Sequence, residues 1–108
     1  MTSTHNLTAL AADHLAAARS APHGRSAELL LHEDQLRQSV IALTEGTTLE
    51  EHNAPPAATL QILTGRVRLT ALSGDVTLTE SEIHAIPQER HGLVALTDAV
   101  VLLTAVTA

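Results

Sequence analysis

Histidine is the residue type in this chain that is best suited to binding and proton-transfer chemistry, and two of the seven histidines lie in distinctive surroundings. His52 lies in the stretch 46–58, which starts at a glycine and contains two prolines, and His91 closes the stretch 81–91. An imidazole titrates near neutral pH and is the commonest metal ligand in proteins. His52 and His91 are therefore the first candidates for a functional site.

Other kinds of chemical site are not indicated by the sequence. The chain contains no cysteine, which excludes disulfides, thiolate nucleophiles and cysteine-type zinc sites. It contains neither a Gly-x-Ser-x-Gly nucleophile elbow nor a glycine-rich phosphate loop. The adjacent carboxylates Glu50 and Glu51 would point to opposite faces of a strand, so they are not predicted to act on one substrate.

The composition is that of one small globular domain without a nucleic-acid partner. The chain has 108 residues, of which 44% are apolar, which is long enough for one core and too short for two domains. All six basic residues are arginines, the formal net charge is −6, and Phe, Trp and Tyr are absent. Without a basic patch or aromatic side chains, no binding to nucleic acid or to an anionic membrane is expected. No apolar run approaches the roughly 20 residues that span a bilayer, and the N-terminus does not resemble a signal peptide, so we expect a cytoplasmic protein.

Hydrophobic periodicity predicts a short helix followed by β-strands. Apolar residues recur at helical spacing over 6–19, and Asn6 or Thr4 could cap the start of that helix. Farther along, the period changes to two, and turn residues recur about every eight to twelve residues. This pattern predicts an N-terminal helical segment (1–24) and an antiparallel β-barrel domain (25–108). The predicted strands are 26–31, 35–44, 57–63, 66–72, 75–79, 82–86, 91–95 and 99–106.

The two stretches around the histidines resemble the two conserved motifs of the cupin superfamily. In the first cupin motif a glycine is followed by His-x-His, then by a glutamate and a closing glycine. Gly46 and His52 match the first glycine and the first histidine, and Gly65 matches the closing glycine. In the second motif a histidine follows a proline, and His91 matches that histidine, one residue closer to the proline than is usual. The resemblance spans residues 36–106 and implies an all-β, antiparallel cupin-type barrel (jelly roll) with both histidines facing its interior.

The first motif is incomplete in this chain. Ala54 stands where the resemblance places the second histidine, and Ala58 stands where it places the glutamate. In the complete motif, three imidazoles and one carboxylate hold a divalent metal and leave positions open for substrate. Two imidazoles without a carboxylate form a poor site, so no cofactor is expected, and binding of Fe, Ni, Mn or Zn would need further ligands. Two side chains could supply such a ligand or line the pocket: His84, which shares a strand face with Ile86, and Gln38, from a neighbouring strand.

Our first interpretation is a small-molecule binding or sensing module with an aliphatic pocket. Strand alternation places Ala58, Leu60 and Ile62 on one face, and the resemblance turns His52 and His91 toward the same interior. An apolar cavity with a few polar groups is the usual form of a ligand site. Two imidazoles in one cavity are costly to bury without a ligand, water or partner. Two alternatives stay open: a metal-dependent oxygenase or isomerase that uses His52, His91 and a further ligand, and a ligand-free oligomeric scaffold.

The C-terminal stretch 94–106 favours a homodimer. It carries apolar residues on both strand faces, and the barrel interior can cover only one of them. A short helix would hide part of the second face, and the predicted strand 26–31 leaves an open edge with which a second chain could pair. Cupins commonly dimerise, so the resemblance implies the same state.

Overall fold

The computed structural model describes residues 4–52 and 54–107, and within them the chain forms one helix followed by nine β-strands. No helix in this part of the chain is long and apolar enough to cross a membrane. In chain order the elements are α1 (Leu7–Ser20), β1 (Arg25–Glu33), β2 (Leu36–Leu43), β3 (Thr48–His52), β4 (Ala57–Thr64), β5 (Arg66–Ala71), β6 (Val76–Thr79), β7 (Ile83–Ala85), β8 (His91–Ala95) and β9 (Ala99–Val106).

The predicted elements are confirmed, and one strand is added to them. Helix α1 lies within one residue of its predicted bounds, and the Asn6 side chain caps it by accepting a hydrogen bond from the Ala9 N–H at 2.9 Å. The eight predicted strands correspond to β1, β2 and β4 to β9, with ends that differ by two residues at most. The added strand, β3, forms inside the first histidine stretch and pairs with β8. That pairing joins segments about 40 residues apart, which a local hydrophobic pattern does not reveal.

The strands form two antiparallel sheets that face each other. The five-stranded sheet has the order β1-β2-β9-β4-β7, and the four-stranded sheet has the order β3-β8-β5-β6. The predicted jelly-roll arrangement is confirmed. The two sheets, however, do not close into a continuous barrel within the residues that the structure describes.

Aliphatic side chains fill the space between the two sheets. Alternate residues of the strands point there, as the period of two requires. Burying each of the larger ones contributes about 1.5–3 kcal/mol relative to leaving it in water. The buried members of this core are Leu43, Leu60, Ile62, Val67, Leu69, Leu78, Ile86, Leu93, Ala95, Ala99 and Val101.

Helix α1 covers the outer face of the five-stranded sheet. Ala11 and Ala18 of the helix are buried against Val40, Ala42 and Val100 of the sheet. Alanines on the contact face let the helix backbone approach the strands closely. The second apolar face of β9 is therefore covered in part by this chain itself, because Val100 is fully buried beneath the helix.

Gly65 makes the tight connection between β4 and β5. Its φ of +80° lies in the left-handed region. A Cβ at this position would also collide with the carbonyl oxygen of Asp98. Glycine tolerates both conditions, which is the physical reason for the closing glycine of the first motif.

Polar contacts tie the helix to the strands beneath it. His14 Nε2 lies 2.8 Å from Glu28 Oε1, and His14 Nδ1 lies 2.8 Å from Ser26 Oγ. Because an ionised carboxylate only accepts hydrogen bonds, Nε2 of the ring donates to Glu28. Near the end of the helix, Arg19 Nε donates to Asp98 Oδ2 at 3.1 Å. These contacts fix the helix to β1 and to the β8–β9 turn.

We expect the substitution His14→Ala to lower the free energy of unfolding by about 1–2 kcal/mol, because it removes two hydrogen bonds between the helix and β1. Urea denaturation followed by far-ultraviolet circular dichroism measures this change. The matched control is His32→Ala, since His32 is exposed on the same strand. Equal losses in the two variants would show that the His14 contacts do not stabilise the fold.

Candidate functional site

His91 is a buried polar side chain at the edge of the inter-sheet core, with 5% of its surface exposed. It begins β8, and its backbone lies between those of His52 on β3 and Ala71 on β5. Leu93 and Ala95 follow at intervals of two residues and are buried in the core between the sheets. Strand alternation therefore turns the His91 ring toward the same space.

A small cavity between the sheets adjoins His91. Its volume is about 30 Å³. A single water needs about 10–15 Å³, so the cavity has room for about two water-sized groups. The other described residues that line it carry no polar side chain and come from both sheets: Ile41, Leu49, Leu60, Leu69, Ile86, Gly92, Leu93 and Leu103. Such a space can hold a compact apolar group and offers it one polar contact.

The His91 ring is fixed by a backbone carbonyl. Its Nδ1 lies 3.0 Å from the carbonyl oxygen of Glu89. Because that oxygen can only accept, Nδ1 carries a proton and donates it to the carbonyl. Within the described residues no buried side-chain nitrogen or oxygen lacks a hydrogen-bond partner, so burial of His91 does not by itself require a ligand.

Glu89 holds this carbonyl in place. Its carboxylate Oε1 accepts hydrogen bonds from the Ser73 hydroxyl at 2.6 Å and from the Ser73 N–H at 2.7 Å, which ties the segment before β8 to the β5–β6 turn. The Ser73 hydroxyl, and then the Ser73 N–H, lower the pKa of Glu89 below its usual value of 4.5. Sequence reasoning missed Glu89, because a single carboxylate in a turn gives no pattern and its partner is 16 residues away.

The three residues of β4 that were predicted to face the interior do so. Ala58, Leu60 and Ile62 all pack in the core between the sheets, and Leu60 also lines the cavity. His84 lies directly opposite Leu60 in the β4–β7 pair and is half-buried. Because opposed residues of an antiparallel pair project to the same side, His84 lies on the inner side, beyond the residues that line the cavity.

Gln38 does not join this group. It lies two residues before Val40 on β2, and Val40 packs beneath the helix. The Gln38 amide donates to Thr104 Oγ1 at 3.1 Å on that same outer face. The expectation that Gln38 reaches the interior is therefore not met, because strand alternation places it on the side away from His91.

His52 is brought beside His91 by the backbone. β3 ends at His52, whose Cα is the register partner of the His91 Cα. The side chain of His52 lies outside the described part of the chain.

The residues that the structure describes do not fit a metal centre of the complete cupin type. Among them, no group of three or more His, Cys, Asp or Glu side chains is placed to hold a metal ion. Ala58, where the resemblance places a carboxylate ligand, contributes a methyl group to the core.

A larger groove of about 470 Å³ lies on the other side of the five-stranded sheet. It runs between α1 and β4, and its polar lining consists of Thr8, Thr64 and Glu80, none of which is buried. We place the candidate site beside His91 instead, because there a buried polar side chain meets an apolar enclosure.

One series of hydrogen bonds has the order of a catalytic triad, in which a serine contacts a base and the base contacts an acid. Its members are Ser26, His14 and Glu28. Ser26 lies opposite Ala42, however, on the face that α1 covers. We assign this chain of hydrogen bonds to attachment of the helix.

Comparisons with known proteins identify the fold. No protein-family model and no curated protein matches the sequence. Among solved structures, a conserved protein of unknown function from Streptococcus pyogenes superposes with a TM-score of 0.74 at 22% identity, covering 82% of this chain and 78% of that one. A cupin superfamily protein from Desulfitobacterium hafniense has a TM-score of 0.72 at 15% identity and 78% coverage of both chains. An RmlC-like cupin from Shewanella frigidimarina has a TM-score of 0.71 at 18% identity, covering 80% of this chain and 78% of that one.

This chain therefore has the cupin fold, as the motif resemblance implied. The fold is shared by proteins of many activities, so the function has to be argued from the site.

The stability of the protein should depend on the ionisation of Glu89. Because folding lowers the pKa of Glu89, its ionised form stabilises the native state above the usual value of 4.5, and this contribution is lost as the pH falls through the lower folded value. The wild-type protein should therefore lose more stability between about pH 6 and about pH 3 than the variant Glu89→Gln. Denaturation curves at the two pH values measure the difference, with the exposed Glu80→Gln as the control. The same pH dependence in Glu89→Gln and wild type would contradict the assigned role of Ser73.

Proposed function

We propose that this protein is a small-molecule binding or sensing module of the cupin fold, whose ligand occupies the space between the sheets beside His91. The observation that supports this function is the buried His91 ring at a cavity whose other lining side chains, among the described residues, are aliphatic. Apolar walls supply affinity, and one fixed polar group orients the ligand, which is the general design of small-molecule sites.

His52 is proposed as the second polar contact. Its backbone lies opposite that of His91 in the β3–β8 pair, and opposed residues of an antiparallel pair project to the same side of a sheet. His84, half-buried opposite Leu60, is proposed as a contact at the margin of the site.

The size of the cavity limits the ligand. At about 30 Å³, it admits a compact group of a few heavy atoms, or the apolar end of a longer molecule. A larger ligand would have to displace side chains such as Ile41, Leu49 and Leu103, which are only partly buried. A change of rotamer in these side chains is the least costly way for the site to widen.

The proposed cavity can be tested with cyclopropane, a compact apolar probe, in methyl NMR titrations. We expect shifts of the Leu60 and Leu69 methyls in the wild-type protein. The variant Leu103→Phe should abolish them, because the larger side chain fills the cavity. The control Leu72→Phe should leave them unchanged, since Leu72 is 90% exposed.

Two results would overturn the proposal. The first is the absence of cyclopropane-induced shifts, or shifts that persist in Leu103→Phe. The second is one Fe, Ni, Mn or Zn ion per chain in untagged protein after dialysis against a chelator, which would favour the alternative of a metal-dependent oxygenase or isomerase.

We also propose that the protein forms a homodimer through β1. This nine-residue strand is the end member of the five-stranded sheet, and Leu29 on it is 52% exposed. An edge strand presents N–H and C=O groups with which a second chain can pair. Because Val100 is buried beneath α1, the outer face of β9 is partly covered within the chain, and the β1 edge is the surface on which a second chain would pair.

Light scattering at micromolar concentration should give twice the monomer mass of 11.4 kDa. Detection by refractive index is needed because the chain lacks Trp and Tyr. The variant Ala27→Pro should favour the monomer, since proline on an edge strand blocks further pairing. A mass of 11.4 kDa for the wild-type chain throughout that range would refute the dimer.

A further inference from the structure

We propose that the outer face of the four-stranded sheet binds an extended acidic segment of a partner protein through Arg66 and Arg68. The segment carries carboxylates at alternate residues, one for each guanidinium group. This surface goes beyond the ligand site proposed beside His91, because it lies on the face of that sheet away from the core.

Outward-facing residues of β5 and β6 form the proposed surface. Val67 and Leu69 of β5 and Leu78 of β6 are buried in the core between the sheets. The residues that alternate with them therefore point away from the core, and they are exposed. These four residues, which we call the arginine–threonine array, are Arg66, Arg68, Thr77 and Thr79. Helix α1 packs on the other sheet and leaves the array uncovered.

The array has the repeat of a β-strand. Arg68 is the register partner of Thr77, and Arg66 is the register partner of Thr79, so each arginine has a hydroxyl group beside it. The two arginines are two residues apart on one strand, a separation of about 6.6 Å. Alternate side chains of an extended peptide have the same separation. Two carboxylates of such a peptide can therefore meet both guanidinium groups at once.

Neither guanidinium group of the array forms an ion pair or a side-chain hydrogen bond with the described residues. Other arginines of the chain are engaged: Arg19 pairs with Asp98, and Arg37 donates to backbone carbonyl oxygens. A guanidinium group presents five N–H donors in a planar fork that matches a carboxylate. The array thus offers strong donors that the described part of the chain does not use.

Two described carboxylates lie near the array without pairing with it. Glu80 adjoins Arg66 in a shallow groove, and Glu50 lies on β3, two strands and about 10 Å from β5. The net charge of −6 also repels an acidic partner at long range. At physiological ionic strength this repulsion is screened beyond about 8 Å, whereas guanidinium groups in direct contact act at full strength.

An acidic protein segment fits the array better than a nucleic acid does. Proteins that bind single-stranded nucleic acid combine a basic groove with aromatic side chains on which bases stack, and this chain has no Phe, Trp or Tyr. Two arginines can also neutralise only two phosphates. Exposed ion pairs each contribute little, so we expect weak binding that depends on the spacing of the two carboxylates.

Two capped peptides of identical composition and charge test this spacing: Gly-Glu-Thr-Glu-Gly, with alternate carboxylates, and Gly-Glu-Glu-Thr-Gly, with adjacent ones. Titrations at physiological salt follow the methyl NMR signals of Thr77 and Thr79. We expect the alternate peptide to bind the wild-type protein about three- to fivefold more tightly than the adjacent peptide, which is the effect of one exposed ion pair.

Two variants with the same change in net charge locate the binding. Arg68→Gln should make the two peptides bind equally, because only one guanidinium group then remains in the array. The matched control Arg25→Gln should preserve the preference, since Arg25 is exposed on β1 of the other sheet. Far-ultraviolet circular dichroism checks that both variants keep the fold.

Three results would overturn this inference. They are the absence of peptide-induced shifts at the array, equal binding of the two peptides by the wild-type protein, and a preference that survives Arg68→Gln. An oligothymidylate that displaces the alternate peptide from the array at equal concentration would overturn the choice of a protein partner. None of these results bears on the cavity beside His91, which lies on the other face of the sheet.

Discussion

Contact between the two sheets depends on side chains no larger than leucine, because the chain contains no Phe, Trp or Tyr. Protein interiors normally reach the packing density of organic crystals. Here the side chains near the centre are buried, whereas Ile41, Leu49 and Leu103 near the cavity are only partly buried. The cavity is thus small, apolar and bounded on one side by residues that can change rotamer. These properties follow from the aliphatic composition of the core.

The two faces of the five-stranded sheet serve different purposes. The outer face binds α1, through buried alanines and the contacts of His14 with β1, and it stabilises the fold. The inner face adjoins the cavity, where a chain of contacts leads from Ser73 at the surface through Glu89 to the buried His91 ring. Because each member of this chain fixes the next, the orientation of the ring depends on a turn that does not itself line the cavity.

Much of this architecture is visible in the sequence, since it follows from local periodicity. The alternation of Ala58, Leu60 and Ile62 predicted an inner face, and the glycine and histidine spacing indicated the cupin fold. Gln38 was misplaced, because a period of two shows that residues share a face and does not show which face is inside. β3 and the role of Glu89 could not be predicted, since both depend on partners distant in the sequence.

The proposed site requires that the rings of His52 and His91 share the space between the sheets. Without Phe, Trp or Tyr, the ring protons of the seven histidines are the only aromatic side-chain signals in the proton spectrum, so their nuclear Overhauser effects can be assigned directly. We expect effects from the ring protons of both His52 and His91 to the methyl groups of the leucines that line the cavity. A His52 ring that shows none of these effects, while His91 shows them, would contradict a two-histidine ligand site.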